Sequence, residues 1–225
     1  MSDATVNADF SELAIEHTAR ADWQASPSPS VWRKRLDLAG PSETSRVTSV
    51  VRYDADSAFP SHPHPDGEEI LVLDGVFSDE HGDYPKGAYL LNPEGFSHAP
   101  FSREGCILFV KLRQYPGLER QKLALDTTKA VWQETGTPGL SIVPLYREDG
   151  YPETMQLVRM VPGTAIAPHD HGAGAEIFVL DGSFRDVHGT FETGSWVRYP
   201  PGSSHAQSSE EGCIYYLKTG HLSGV

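Results

Sequence analysis

Apolar and polar residues alternate along most of this 225-residue chain, with β-branched and aromatic residues enriched in the alternating stretches. That period predicts strands over residues 33–38 and 46–53, and again over 140–146 and 155–161. Further strands are expected over 87–91, 106–112, 195–199 and 213–218. Gly40-Pro41-Ser42 supplies a turn in the first half, and Glu148-Asp-Gly-Tyr-Pro152 supplies its counterpart in the second. No stretch carries a sustained helical period, so the fold class reads as all-β. Residues 113–128 form a mixed-charge connector with room for a short helical turn.

The pattern occurs twice. His62-Pro-His64-Pro-Asp-Gly-Glu68-Glu69-Ile-Leu-Val-Leu-Asp-Gly75 returns as His169-Asp-His171-Gly-Ala-Gly-Ala175-Glu176-Ile-Phe-Val-Leu-Asp-Gly182, at a constant offset of 107 residues. Gly87, Pro93, Gly95 and His98 recur in the same way as Gly194, Pro200, Gly202 and His205. Two units of one build follow, 1–120 with an N-terminal arm and 121–225. Asp22-Trp23-Gln24 and Val131-Trp132-Gln133 lead into the two units, and each Trp is expected to plug its barrel as a large apolar cap. The polar arm, up to about residue 21, is expected to pack on another subunit of a homodimer or to stay disordered, with His17 in solvent.

Charge narrows the partners. The formal net charge is −13, which opposes nucleic-acid binding and leaves a basic protein partner open. No apolar run reaches membrane-spanning length and no signal-peptide core is present, so a cytoplasmic protein with no membrane association is expected. The two cysteines, Cys106 and Cys213, hold matching positions at the start of apolar runs and read as buried small hydrophobes, not as a disulfide.

The chemistry lies in the histidines. Residues i and i+2 of a strand share a face, so His62 and His64 project together, as do His169 and His171. A carboxylate opening the next strand, with His98 or His205 from a distant strand, completes a transition-metal set. Glu68 and Glu69 both stand at that place in the first copy. Strand counting favours Glu68, and repeat symmetry favours Glu69 with Glu176. In the second copy Ala175 matches Glu68, so that site has three histidines alone or needs a bulge to bring Glu176 inward. His81 and His188 fall in Asp-x-His-Gly hairpin turns and are expected to bond neighbouring backbone. Arg52 and Arg159 match across the repeat and are expected to face solvent, with contact to an acidic ligand or a subunit partner as the alternative. Phe59, Tyr89 and Phe101 are candidates for lining the cavity or packing the core. No nucleophile–base triad, phosphate loop or dinucleotide fingerprint is present.

These two motifs resemble those of the cupin superfamily, twice over. Neither copy has the glycine that usually stands six residues before the first histidine, and Ser102 and Ser209 replace the asparagine that often ends the second motif. The finer pattern, Glu-Ile-Leu-Val-Leu-Asp-Gly-Val-Phe-Ser-Asp-Glu with His-Ala-Pro-Phe-Ser-x-Glu-Gly-Cys, is similar to the ChrR-type cupins. The resemblance implies two tandem double-stranded β-helix (jelly-roll) barrels. It carries His62, His64, Glu68 and His98 over as ligands in the first, and His169, His171 and His205 with Glu176 in the second. It implies zinc as the ion, with iron, manganese or nickel as alternatives, and a sensor or regulatory role related to anti-sigma factors. A small molecule or oxidant would enter the barrel. The anti-sigma half of that family is a separate helical domain with a His-x3-Cys-x2-Cys motif, which does not occur in these residues. Other relatives resemble dioxygenases that cleave diketones or phenolic ketones, which is the alternative activity.

Overall fold

A computed structural model describes residues 5–41 and 44–222, so Ser42 of the expected turn lies outside the described residues. The chain forms two compact units: Ala21–Lys129 with the residues up to Ala8, and Ala130–Val225 with Asp9–Arg20. Each is a β-barrel, and the one short helical piece among the described residues is a 3-10 turn at Thr127–Lys129. No helix among them is long and apolar enough to cross a membrane.

In the first unit one antiparallel sheet runs in the order Leu123–Asp126, Ala88–Asn92, Glu68–Asp79, Cys106–Leu112, Val47–Tyr53, Val31–Leu38, Gln24–Ala25. The far half of Glu68–Asp79 leaves that sheet to pair with Gly82–Pro85 and Phe101–Ser102, while His62–His64 pairs with Phe96–His98. The second unit repeats this with Ala14–His17, Ser195–Tyr199, Ala175–Asp186, Cys213–Thr219, Thr154–Met160, Leu140–Tyr146 and Gln133–Glu134. Each barrel closes on its own apolar core. Val31, Ile70, Val72, Phe77 and Leu108 belong to the first, and Val158, Ile177, Val179, Phe184 and Tyr215 to the second.

A bulge sits at the midpoint of each long strand. Val72 pairs with Leu108 and Asp74 with Ile107, so Leu73 is the extra residue; Leu180 is its counterpart. The bulge exchanges the parity of the inward set, from Glu68, Ile70 and Val72 to Phe77 and Asp79. Just beyond it, Gly75 and Gly182 have φ of 69° and 68°, and a Cβ at either would collide with the carbonyl of Gly105 or Gly212. Only glycine suits both demands.

The units do not divide where the sequence repeat does. Ala14–His17, which precedes the first barrel in sequence, pairs with Ser195–Tyr199 of the second, His17 opposite Ser195. Leu123–Asp126, which precedes the second barrel, pairs with Ala88–Asn92 of the first, Asp126 opposite Ala88. The side chains repeat the exchange: Thr18 donates to Gly194 O at 2.8 Å, and Thr127 to Gly87 O at 2.6 Å. Each of these lead-in strands thus completes the sheet of the other repeat, across the division expected at residue 120. The arm expected against another subunit docks within its own chain, and His17 is half-buried with Nδ1 2.9 Å from Ser195 Oγ.

The two lead-in tryptophans are half-buried beside arginines, not sealed in as plugs. The Arg52 guanidinium lies 4.9 Å from the Trp23 ring and that of Arg159 lies 4.6 Å from Trp132. A guanidinium over an indole face gains a cation–π attraction, which gives both matched arginines a packing role. Cys106 and Cys213 are buried and unbridged, as expected. Burial pushes their thiols up to about 11 and about 12. Neither should react with a thiol reagent at neutral pH until denaturant is added, a difference that a colorimetric titration measures directly.

Candidate metal centre

The hairpin geometry sets the first site. His62 stands opposite His98, and His64 opposite Phe96. The turn before His98 is fixed by Gly95 N–H donating to His64 O at 3.1 Å and Phe96 N–H to Pro93 O at 3.1 Å. His64 Nε2 and His98 Nε2 lie 2.9 Å apart, and Glu68 Oε2 is 3.6 Å from each. The ligand nitrogens of His62, His64 and His98 all fall within 4.8 Å of one another. Ligands about 2.1 Å from one ion are separated by roughly 3 Å, so the cluster has the dimensions of a metal site.

Protonation points the same way. His62 Nδ1 donates to Pro60 O at 2.9 Å, and His98 Nδ1 donates to Asp79 Oδ2 at 3.1 Å. Both partners only accept, so in the neutral rings the proton sits on Nδ1 and the Nε2 lone pair faces the cluster. Burial, with the nearby His62 and Arg113 charges, pushes His64 down to about 3. Burial also lowers His98, although Glu68 works against it. Burial raises Glu68, opposed by His98 and by Asn92, whose Nδ2 donates to Glu68 Oε2 at 3.0 Å. Neutral imidazoles with converging lone pairs beside a buried carboxyl fit a divalent cation well.

The second site keeps half of this. His169, His171 and His205 converge, with His171 Nε2 3.0 Å from His205 Nε2. His169 Nδ1 donates to Ala167 O at 3.1 Å and His205 Nδ1 to Asp186 Oδ2 at 2.9 Å. Burial, helped by His205 and His169, pushes His171 down to about 4. Among the described residues no carboxylate joins them. Two substitutions are coupled here: Ala175 stands at the place of Glu68, and Tyr199 at that of Asn92, which holds Glu68 in the first copy. The Tyr199 ring packs 4.2 Å from the His205 ring and 5.6 Å from His171, and its hydroxyl donates to Asp186 Oδ2 at 2.6 Å.

Two of the expected ligands lie elsewhere. Glu69 is on the opposite strand face, accepting from Tyr89 OH at 2.8 Å. Glu176 is its counterpart, accepting from Trp196 Nε1 at 2.7 Å, with His221 Nε2 3.2 Å away. The ladder is regular at Ala175 and Glu176, and the bulge comes only after Val179, so nothing turns Glu176 inward. His81 and His188 donate their backbone N–H groups to Asp79 and Asp186 at 2.8 and 2.7 Å, the turn role expected of them. Phe59 lines the first cavity, whereas Tyr89 faces away from it.

Asp79 and Asp186 were not singled out by the sequence. Each holds the Nδ1 of the third histidine and fixes which nitrogen is left for a ligand role. Asp79→Asn is expected to lower first-site metal affinity about 10- to 100-fold with the fold intact, as measured by chelator competition.

The first cluster opens into a cavity of about 400 Å³ lined by Val31, Phe59, Leu108 and Val110 among others. The second opens into a smaller one of about 190 Å³, lined by Ile142, Val158, Ile166 and Leu217.

Twin jelly-roll barrels, each with a histidine cluster at one end of its core, define a two-domain cupin. The chain belongs to the ChrR Cupin-like domain family, which matches residues 11–116 and again 120–223. No curated protein matches it. Among solved structures it is similar to a Nostoc punctiforme protein described as a candidate dioxygenase, at TM-score 0.77 and 16% identity over 96% of this chain and 85% of that one. It is also similar to the protein Ylba from E. coli, at 0.74 and 14% over 95% and 93%. Bacillus subtilis oxalate decarboxylase matches at 0.68 and 11% over 92% and 76%; that enzyme has Mn(II) centres. At these identities the likeness shows the fold alone.

Proposed function

We propose that the first barrel is a metal-dependent enzyme site for a small organic molecule, of the dioxygenase class, and that the second barrel holds its ion for stability. One observation carries this reading: the cavity of about 400 Å³ opens directly onto His62, His64, Glu68 and His98. A closed structural site has no use for a space of that size, and the cavity at the second cluster is about half as large, at about 190 Å³.

His62, His64, His98 and Glu68 would hold the ion, which would supply Lewis acidity and open positions to orient a chelating molecule. Asn92 holds Glu68 and Asp79 holds His98, so two of the four ligand groups are braced. Phe59, Leu108 and Val110 exclude water from the reacting end. The description of the Nostoc punctiforme neighbour agrees with this class.

A second reading, a zinc-binding regulatory module with a protein partner, is favoured by membership of the ChrR Cupin-like family. Metal analysis of the natively purified protein, followed by oxygen uptake after anaerobic loading with iron(II), separates the two. Uptake on adding a simple diketone such as acetylacetone, or a phenolic ketone, supports the enzyme. Full iron loading with no uptake on either overturns it in favour of the regulatory module.

A further inference from the structure

The first cavity is apolar over most of its wall, yet it contains two arginines, Arg33 and Arg113. Neither is there by accident of register. Arg33 is two residues from the core residue Val31 on the same strand, so it shares the inward face. It stands opposite Val51, another lining residue. Arg113 follows the strand Cys106–Leu112 with φ of 58°, a left-handed turn that a non-glycine residue rarely takes. Its N–H donates to Gly67 O at 3.0 Å, and its Nη1 lies 3.4 Å from Asp66 Oδ2. Its positive charge reaches His64, and that of Arg33 reaches Tyr53.

The second barrel serves as a control within the same chain. Arg33 pairs with Gln24 and Val51 in the ladder; the residue in the same register there is Ile142, paired with Gln133 and Val158. The residue matching Arg113 is Gly220, which makes the same bond, to Gly174 O at 3.4 Å. Both arginines are thus confined to the barrel that also has the larger cavity and the carboxyl ligand.

A chain of net charge −13 repels small anions at long range. Two guanidinium groups in one cavity oppose that locally, beside the carboxyls of Glu68 and Asp66, and guanidinium is the side-chain group best matched to a planar carboxylate or enolate.

We infer that the substrate of the first barrel is an organic anion, whose charged group is read by Arg33 and Arg113 while its apolar body lies along Phe59, Leu108 and Val110. This rests on the catalytic reading for the word substrate, but the anion preference itself comes from the arginines and holds with or without an ion.

The test uses phenylpyruvate and its neutral methyl ester as probes, titrated calorimetrically into the full chain in metal-loaded and metal-free form. Phenylpyruvate should bind at least about 10-fold more tightly than the ester in both forms. The preference should vanish in the R33I/R113G double variant, which copies the second barrel, and should be partly kept by R33K. Equal binding of the two probes, binding of neither, or a preference that survives in the double variant overturns the inference. Iron-dependent oxygen uptake with neutral acetylacetone alongside any of those results would show that the catalytic reading stands and only the anion preference has failed.

Discussion

Deletion of residues 1–20 is expected to damage the second barrel, at the far end of the sequence, more than the first. From the first unit, among the described residues, it removes the bridge between Val6 and Leu38 and the bond from Asn7 Nδ2 to Leu36 O. From the second it removes the whole edge strand Ala14–His17, with Leu13 and Ile15 packed on the core and Phe10 4.2 Å from the Arg198 guanidinium. Two or three partly buried apolar side chains contribute about 3 kcal/mol. For a unit near 110 residues that corresponds to roughly 10 °C or more in melting temperature. Calorimetry with metal counting would show one transition moved down and the ion of the second site lost first. An unchanged thermogram would mean that the arm does not belong to the second sheet.

The other large effect is expected from His98→Ala. This ring faces both His64 and Glu68 and is itself held by Asp79. Its loss should cost the first site more than the ~100-fold that loss of a supporting partner costs. The ion should leave that barrel, and oxygen uptake should fall to background. Mass spectrometry should count one ion fewer per chain. His205→Ala should lower the count in the same way, but show chiefly as reduced thermal stability. If His98→Ala retained both its ion and its oxygen uptake, the first-barrel site would not be where the metal works.

The histidines were legible because their signal is local and doubled: an i, i+2 pair in a strand, with a third histidine at a constant offset in both halves. The choice between Glu68 and Glu69 was open, since strand alternation and repeat symmetry disagreed. The ladder decides for alternation, and Tyr89 and Trp196 show what the other pair of carboxyls does. Asp79 and Asp186 were hidden by the bulges at Leu73 and Leu180, because the parity change there puts them on the inward face against simple alternation counted from Glu68 and Ala175. Tyr199 was hidden too. Its role appears only once Ala175 and the loss of Asn92 are seen as one change across two neighbouring strands. The exchanged strands were beyond reach for another reason: each is only four residues long, and nothing within four residues states which distant edge they complete.

The exchange also sets an order of events during synthesis. The Ala14–His17 segment leaves the ribosome before either barrel, yet its partner Ser195–Tyr199 is made about 180 residues later, which at ~5–20 residues per second is a wait of roughly ten seconds or more. The first barrel, by contrast, can close as soon as Leu123–Asp126 emerges. A segment made early is thus among the last to find its place, and until then the nascent chain carries an unpaired strand that a chaperone, or a neighbouring copy, is free to capture.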